Sequence, residues 1–188
     1  GNHIASPDWS VQDTVTTPGY SQTVYDNGIG IVVEEGRMTV RESVGKAFRD
    51  FYSSPRVAAS YVQTLSHIPY KELGINWLLR TSNDNPRQWL IQRFLNPGKW
   101  LESEPAVMSA ELKLETTFRE SACFMKFMAI DGTNADLDRE NSVITECNFH
   151  HAGPFGNSGK IIEIIESWRM YQTFLKDASD KFLFGELA

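Results

Sequence analysis

With 188 residues the chain is long enough for one hydrophobic core of ordinary domain size and short for two. An apolar share of 41% excludes wholesale disorder, and 18 Lys+Arg against 24 Asp+Glu, a net charge of -6, sets the molecule as a whole against polyphosphate and anionic lipid. No apolar run approaches the roughly 18 to 20 residues that span a bilayer, and the opening residues lack signal-peptide architecture, so a soluble protein is expected, with neither nucleic acid nor membrane as partner.

The sequence opens at Gly1 without a Met, which leaves a leader upstream of it an open question. Cys123 and Cys147 are too few for a disulfide framework, and no Cys-x-x-Cys pair or Asn-x-Ser/Thr acceptor occurs, which points to a reduced, cytoplasmic protein. Both cysteines fall in apolar strand-like runs, where a thiol behaves as a small buried hydrophobe. One disulfide stays open if those strands pair.

Residues 1–20, with Pro7, Pro18 and Gly19, read as an irregular N-terminal arm with room for a short strand at Trp9 to Val15. Residues 21–188 are expected to form a single α+β domain. A β-meander opens it: Thr23 to Tyr25, a turn at Asp26-Asn27-Gly28, Ile29 to Val33, a turn at Glu35-Gly36, then Met38 to Val40. From Pro55, the three- and four-residue spacing of Val57, Ala58, Tyr61, Val62 and Leu65 predicts a helix that ends before Pro69.

In Leu73 to Arg80 every odd position is apolar, while Gly74, Asn76 and Arg80 stand among the even ones, the period-two pattern of a half-buried strand. Asn85-Pro86 opens a short helix through Trp89, Leu90 and Phe94, stopped by Asn96-Pro97-Gly98. After Pro105, Ala110, Leu112 and Leu114 alternate with Glu111, Lys113 and Glu115. The more evenly apolar run Ser121 to Ile130 predicts a central strand covered on both faces. An acidic loop, Asp131 to Glu140, leads to a strand at Val143 to Phe149, which completes an antiparallel meander.

Ile161, Ile164, Ile165, Trp168, Tyr171, Phe174 and Leu175 keep one apolar stripe from Ser158 to Asp177, which predicts a long amphipathic C-terminal helix. Loops too short for crossover helices then give the fold class: α+β, an antiparallel β-sheet built from meanders, packed on one side by that helix and one or two shorter ones.

Familiar site motifs fail on spacing. Gly153 to Lys160 follows a strand and opens a helix as a phosphate loop would, but position 154 is Pro and Ile161 stands where magnesium needs a hydroxyl, so an ordinary loop with Ser158 as helix cap is expected. Asn134, Asp136, Asp138 and Glu140 begin like a calcium loop, but Arg139 occupies the hinge and Thr145 the closing position. His150 and His151 are adjacent in a strand and face opposite ways, and Cys147 shares a face with His151 only at about 13 Å, so no shared metal is expected. Catalytic signatures, cofactor motifs and metal-ligand spacings are absent, and neither a cofactor nor a metal is expected.

What remains is a constellation on strand faces. Asn76 and Arg80 project from the non-core side of one strand, and Glu146, Asn148 and His150 project together from another, opposite Cys147 and Phe149. Lys126 is the polar exception in an apolar strand. In one sheet and one orientation, these six would form a polar face able to hold a small polar or anionic ligand.

Tyr70-Lys-Glu-Leu-Gly-Ile-Asn76 and Asn148-Phe-His150, ahead of a long C-terminal helix, resemble a group of sporadically distributed, uncharacterised bacterial domains of α+β type. The resemblance covers the order of elements from about Pro55 onward and implies a bacterial or phage-like origin and a non-enzymatic role.

The leading expectation is therefore a non-catalytic binding or assembly domain that self-associates as a homodimer, burying strand edges or the mixed sheet face. The alternative is a small-molecule enzyme or receptor with His150 as acid or base, Arg80 or Lys126 on an anionic group, and Asn76 and Asn148 orienting it. Nucleic-acid binding would require a contiguous basic stripe through Arg37, Arg41, Lys46 and Arg49.

Overall fold

The computed structural model describes residues 4–43, 45, 48–95, 109–130 and 141–184, the side chain of Phe184 excepted. The acidic loop Asp131 to Glu140 with its calcium-like run, the stop at Asn96-Pro97-Gly98 and Lys46 lie outside the described residues. The chain divides into two compact units, one of Gly1–Lys71 with Gly153–Arg169 and the other of Glu72–Ala152 with Met170–Ala188.

The first unit is built on a four-stranded antiparallel meander in chain order: β1 (Val11–Thr17), β2 (Tyr20–Tyr25), β3 (Ile29–Glu34) and β4 (Arg37–Glu42). Its turns fall where Gly28 and Gly36 adopt positive φ, a conformation open to glycine and strained for other residues. Within residues 1–20, β1 spans Val11–Thr17, overlapping the short strand expected at Trp9 to Val15 and running two residues beyond it. Val11, Thr14, Val15, Thr16 and Thr17 are β-branched and pair along β2, and this outweighs the flanking Pro7 and Pro18.

Helix α1 (Ser54–Thr64) begins with proline in its first turn and buries Val57 and Val62. The carboxylate of Glu42, at the end of β4, accepts the Ser54 N–H at 2.8 Å, placing negative charge on the positive end of the helix dipole. α1 packs against β4 and against α3 (Ser158–Glu166), which buries Ile161, Ile164 and Ile165. The cap of α3 is Asn157, whose Oδ1 accepts the Lys160 N–H at 3.1 Å, and not the expected Ser158.

The long C-terminal helix is two helices. α3 ends at Ser167, and α4 (Trp168–Ser179) follows, closed by a π-helical turn over Asp180–Phe184. At the break the Ser167 hydroxyl donates back to the Glu163 carbonyl at 2.8 Å, and its N–H is shared between Glu163 and Ile164, the kind of serine back-bonding that bends helices. The apolar stripe runs through the break, which is why spacing alone reads as continuous.

The second unit holds another antiparallel sheet, in the order β5-β8-β7-β6, from β5 (Glu72–Ser82), β6 (Leu112–Phe118), β7 (Ser121–Ile130) and β8 (Ser142–Ala152). The α+β class with antiparallel meanders is as expected, but the strands are shared between two sheets. Odd residues of β5, β7 and β8 turn to the core side, where Cys123, Phe127, Thr145, Cys147, Phe149 and His151 are buried. Helix α2 (Pro86–Phe94) packs on β7 and β8, with Phe94 5.4 Å from Phe127 between ring centroids. From α4, Tyr171 and Phe174 close on Phe149 and Phe118, and Leu175 is fully buried. Each such side chain contributes about 1.5–3 kcal/mol through burial. Arg93 ties α2 to the terminal turn by donating to the Phe182 carbonyl at 2.8 Å.

β7 is interior to its sheet, yet it is covered on one face and half-open on the other. Its even residues are half-buried, except Phe124, which is 42% exposed. Apolar residues at both parities made it read as covered on both sides.

Candidate functional site

The two strand registers place all six sequence-derived residues on the open face of the second sheet. Asn76 stands directly opposite Asn148, and Lys126 opposite Glu146. Arg80 lies opposite Ile144, and His150 sits between Gly74 and Ala122. Since directly paired residues project to the same side, the parity that turns Cys147, Phe149 and His151 inward turns these six outward.

Neighbouring groups on the sheet satisfy one another. The Asn148 amide donates to the Asn76 side-chain oxygen, and the Arg80 Nε donates to the Ser142 hydroxyl at 3.0 Å. Lys126 Nζ forms an ion pair with Glu111 at 3.0 Å, and Lys113 reaches the other oxygen of that carboxylate at 3.5 Å. The hydrogen bond from Lys126 holds the Glu111 carboxyl below its ordinary range, with the charges of Lys126 and Lys113 acting the same way.

The six do not converge. His150 pairs with Gly74, six residues along β5 from Arg80, which at the usual rise separates the two positions by about 20 Å. Asn76, Asn148, Glu146 and Lys126 form the central patch, with Arg80 and His150 at opposite ends. A groove of about 430 Å³ lies instead in the first unit, between α1 and α3, with Tyr52, Arg56, Ile162 and Trp168 on its walls, and none of the six lines it.

Sequence reasoning missed the apolar part of the face. Leu78, on β5 between Asn76 and Arg80, is 69% exposed, and Phe124 stands beside Asn148. A signal was available for Leu78, the apolar exception among the even positions of a strand that otherwise alternates cleanly.

The remaining candidates resolve into structure. His151 is buried, with Nε2 3.0 Å from the Tyr171 hydroxyl, while His150 faces the other way. The Cys123 and Cys147 sulfurs are 3.6 Å apart as free thiols on the core side of neighbouring strands. Sharing a hydrogen with Cys123 pushes the Cys147 thiol far above its ordinary range, and burial adds to it. Among the described residues no group of three or more His, Cys, Asp or Glu could hold a metal ion, and no helix is long and apolar enough to cross a membrane. Comparison with protein-family models, curated proteins and solved structures returns no match to this chain.

Proposed function

We infer that this protein is a non-catalytic binding or assembly domain that acts as a homodimer in the cytoplasm. The observation that carries the reading is the open face of the second sheet, where exposed Leu78 and Phe124 stand among the polar residues Asn76, Glu146, Asn148 and Lys126. Apolar and aromatic side chains within a polar surround, on an open sheet face, have the anatomy of a protein interface rather than of an enclosing small-molecule pocket. The unbridged pair of buried thiols suits a reducing compartment.

The rival reading, a small anionic ligand gripped by Arg80 and worked on by His150, is disfavoured because one small molecule cannot touch positions about 20 Å apart. A smaller anion site at Lys126 would have to compete with the Glu111 carboxylate already on that ammonium.

Light scattering on the purified chain at rising concentration tests the reading. A dimer is expected, and Leu78→Glu, which puts a charge into the apolar part of the face, is expected to shift the equilibrium toward monomer with the fold intact by circular dichroism. A wild-type chain that stays monomeric at every concentration overturns the homodimer.

A further inference from the structure

β5 is the edge of its sheet: among the described residues β8 is its one strand partner. It runs for 11 residues, with no proline and no irregularity in its pairing to β8. Of the other edges, β1 carries a register shift between Val11 and Asp13, β4 spans six residues and packs against α1, and β6 spans seven. A long, regular edge with no strand on its outer side among the described residues presents a row of backbone donors and acceptors that can pair with another strand.

The backbone shows which residues offer those groups. The Asn83 N–H bonds to Asn141 and the Gly153 N–H to Lys71, so odd residues of this segment direct their backbone groups toward β8. Even residues, Glu72, Gly74, Asn76, Leu78 and Arg80, therefore direct N–H and C=O outward, and their side chains lie on the open face.

Resting on the self-associating reading above, we propose that the partner of this edge is β5 of a second copy, paired antiparallel about a two-fold axis at Asn76. The charges select the register. Glu72 and Arg80 are both exposed and each lies four residues from Asn76, so centring there sets Glu72 of each copy opposite Arg80 of the other, twice per dimer. The two neighbouring registers that keep outward groups paired set Arg80 against Gly74 or Tyr70 and lose both ion pairs. The same centring sets Leu78 of one copy opposite Gly74 of the other, and the product is one continuous eight-stranded sheet.

Charge reversal tests this in the full-length chain, with the dimer constant read by sedimentation equilibrium at low salt. Glu72→Arg and Arg80→Glu, made singly, each create two like-charge pairs and are expected to weaken the dimer by about tenfold. Combined in one chain they restore opposite charges across the axis and are expected to return affinity to within about threefold of wild type. Residues 72 and 80 of one strand are too far apart to rescue each other within a chain. Leu78→Pro removes an outward N–H while sparing the bonds to β8, and is expected to leave a folded monomer.

A dimer that ignores both single reversals, or that the double variant fails to rescue, overturns the β5 register and leaves the homodimer standing. A wild-type monomer at all concentrations overturns both. If Leu78→Pro fails to fold, the reversal series alone decides.

Discussion

Tyr171 on α4 holds its hydroxyl 3.0 Å from Nε2 of His151 on β8, and both residues are buried. The contact joins the C-terminal helix to the sheet at the one polar side chain that the core side of β8 presents near that end. Phe118 and Phe149 pack on the tyrosine ring and Phe174 packs on both of them, so the hydroxyl gives the imidazole a partner inside an aromatic cluster.

Tyr171→Phe keeps the ring and strips that partner, and is expected to destabilise the fold by about 1–2 kcal/mol in urea titrations. Burial also pushes the Tyr171 phenol above its ordinary value of 10.0, with Arg119 opposing and Glu120 adding, and burial raises Tyr70 as well, helped by Tyr61. A phenol raised in the folded state keeps its proton while the unfolded chain ionises. These residues therefore leave stability unchanged below about pH 10 and reduce it as pH rises further. The urea midpoint should fall above that pH, and the fall should be shallower in Tyr171→Phe. An identical slope in the variant would remove Tyr171 as a source of the alkaline loss.

The thiol pair makes a prediction about reactivity. Cys123 is 0% exposed and Cys147 2%, and the hydrogen that they share, together with burial, keeps Cys147 protonated. Since burial shields both sulfurs, a disulfide reagent added to native protein should find neither cysteine, and both should react together as denaturant unfolds the second unit. Immediate labelling of either thiol in folded protein would contradict their placement.

Thr145 stands at the centre of β8 with its hydroxyl buried and without a hydrogen-bond partner among the described residues. Thr145→Val keeps the shape and removes the desolvated hydroxyl, and should raise stability by about 0.5–1 kcal/mol. Thr145→Ser keeps the hydroxyl and deletes the methyl, and should lower it by about 1 kcal/mol. Denaturant midpoints of the two variants should therefore move in opposite directions, and a loss in both would show that the hydroxyl is paired.

Local patterning carried much of this fold into view. The alternation of Leu73 to Arg80 located β5 and its faces, and Asn85-Pro86 located the start of α2, because these signals depend on residues within one element. Parity also sorted His150 from His151 and grouped Asn148 with Glu146. The break at Ser167 was hidden because a serine side chain bonding back one turn leaves the apolar stripe undisturbed. β7 was misjudged because Met128 and Phe124 are apolar whether or not anything covers them.

By itself the sequence determined the strand and helix periods, the α+β class and the side of its strand on which each polar residue stands, since backbone geometry repeats every two or 3.6 residues whatever surrounds it. The tertiary structure decided how the strands divide between two sheets, that Asn76 meets Asn148 and Lys126 meets Glu146, and that Arg80 and His150 lie at opposite ends of one face. Those outcomes depend on register between segments distant in sequence. A shift of two residues keeps every side chain on its own side and so leaves no trace in the periodicity.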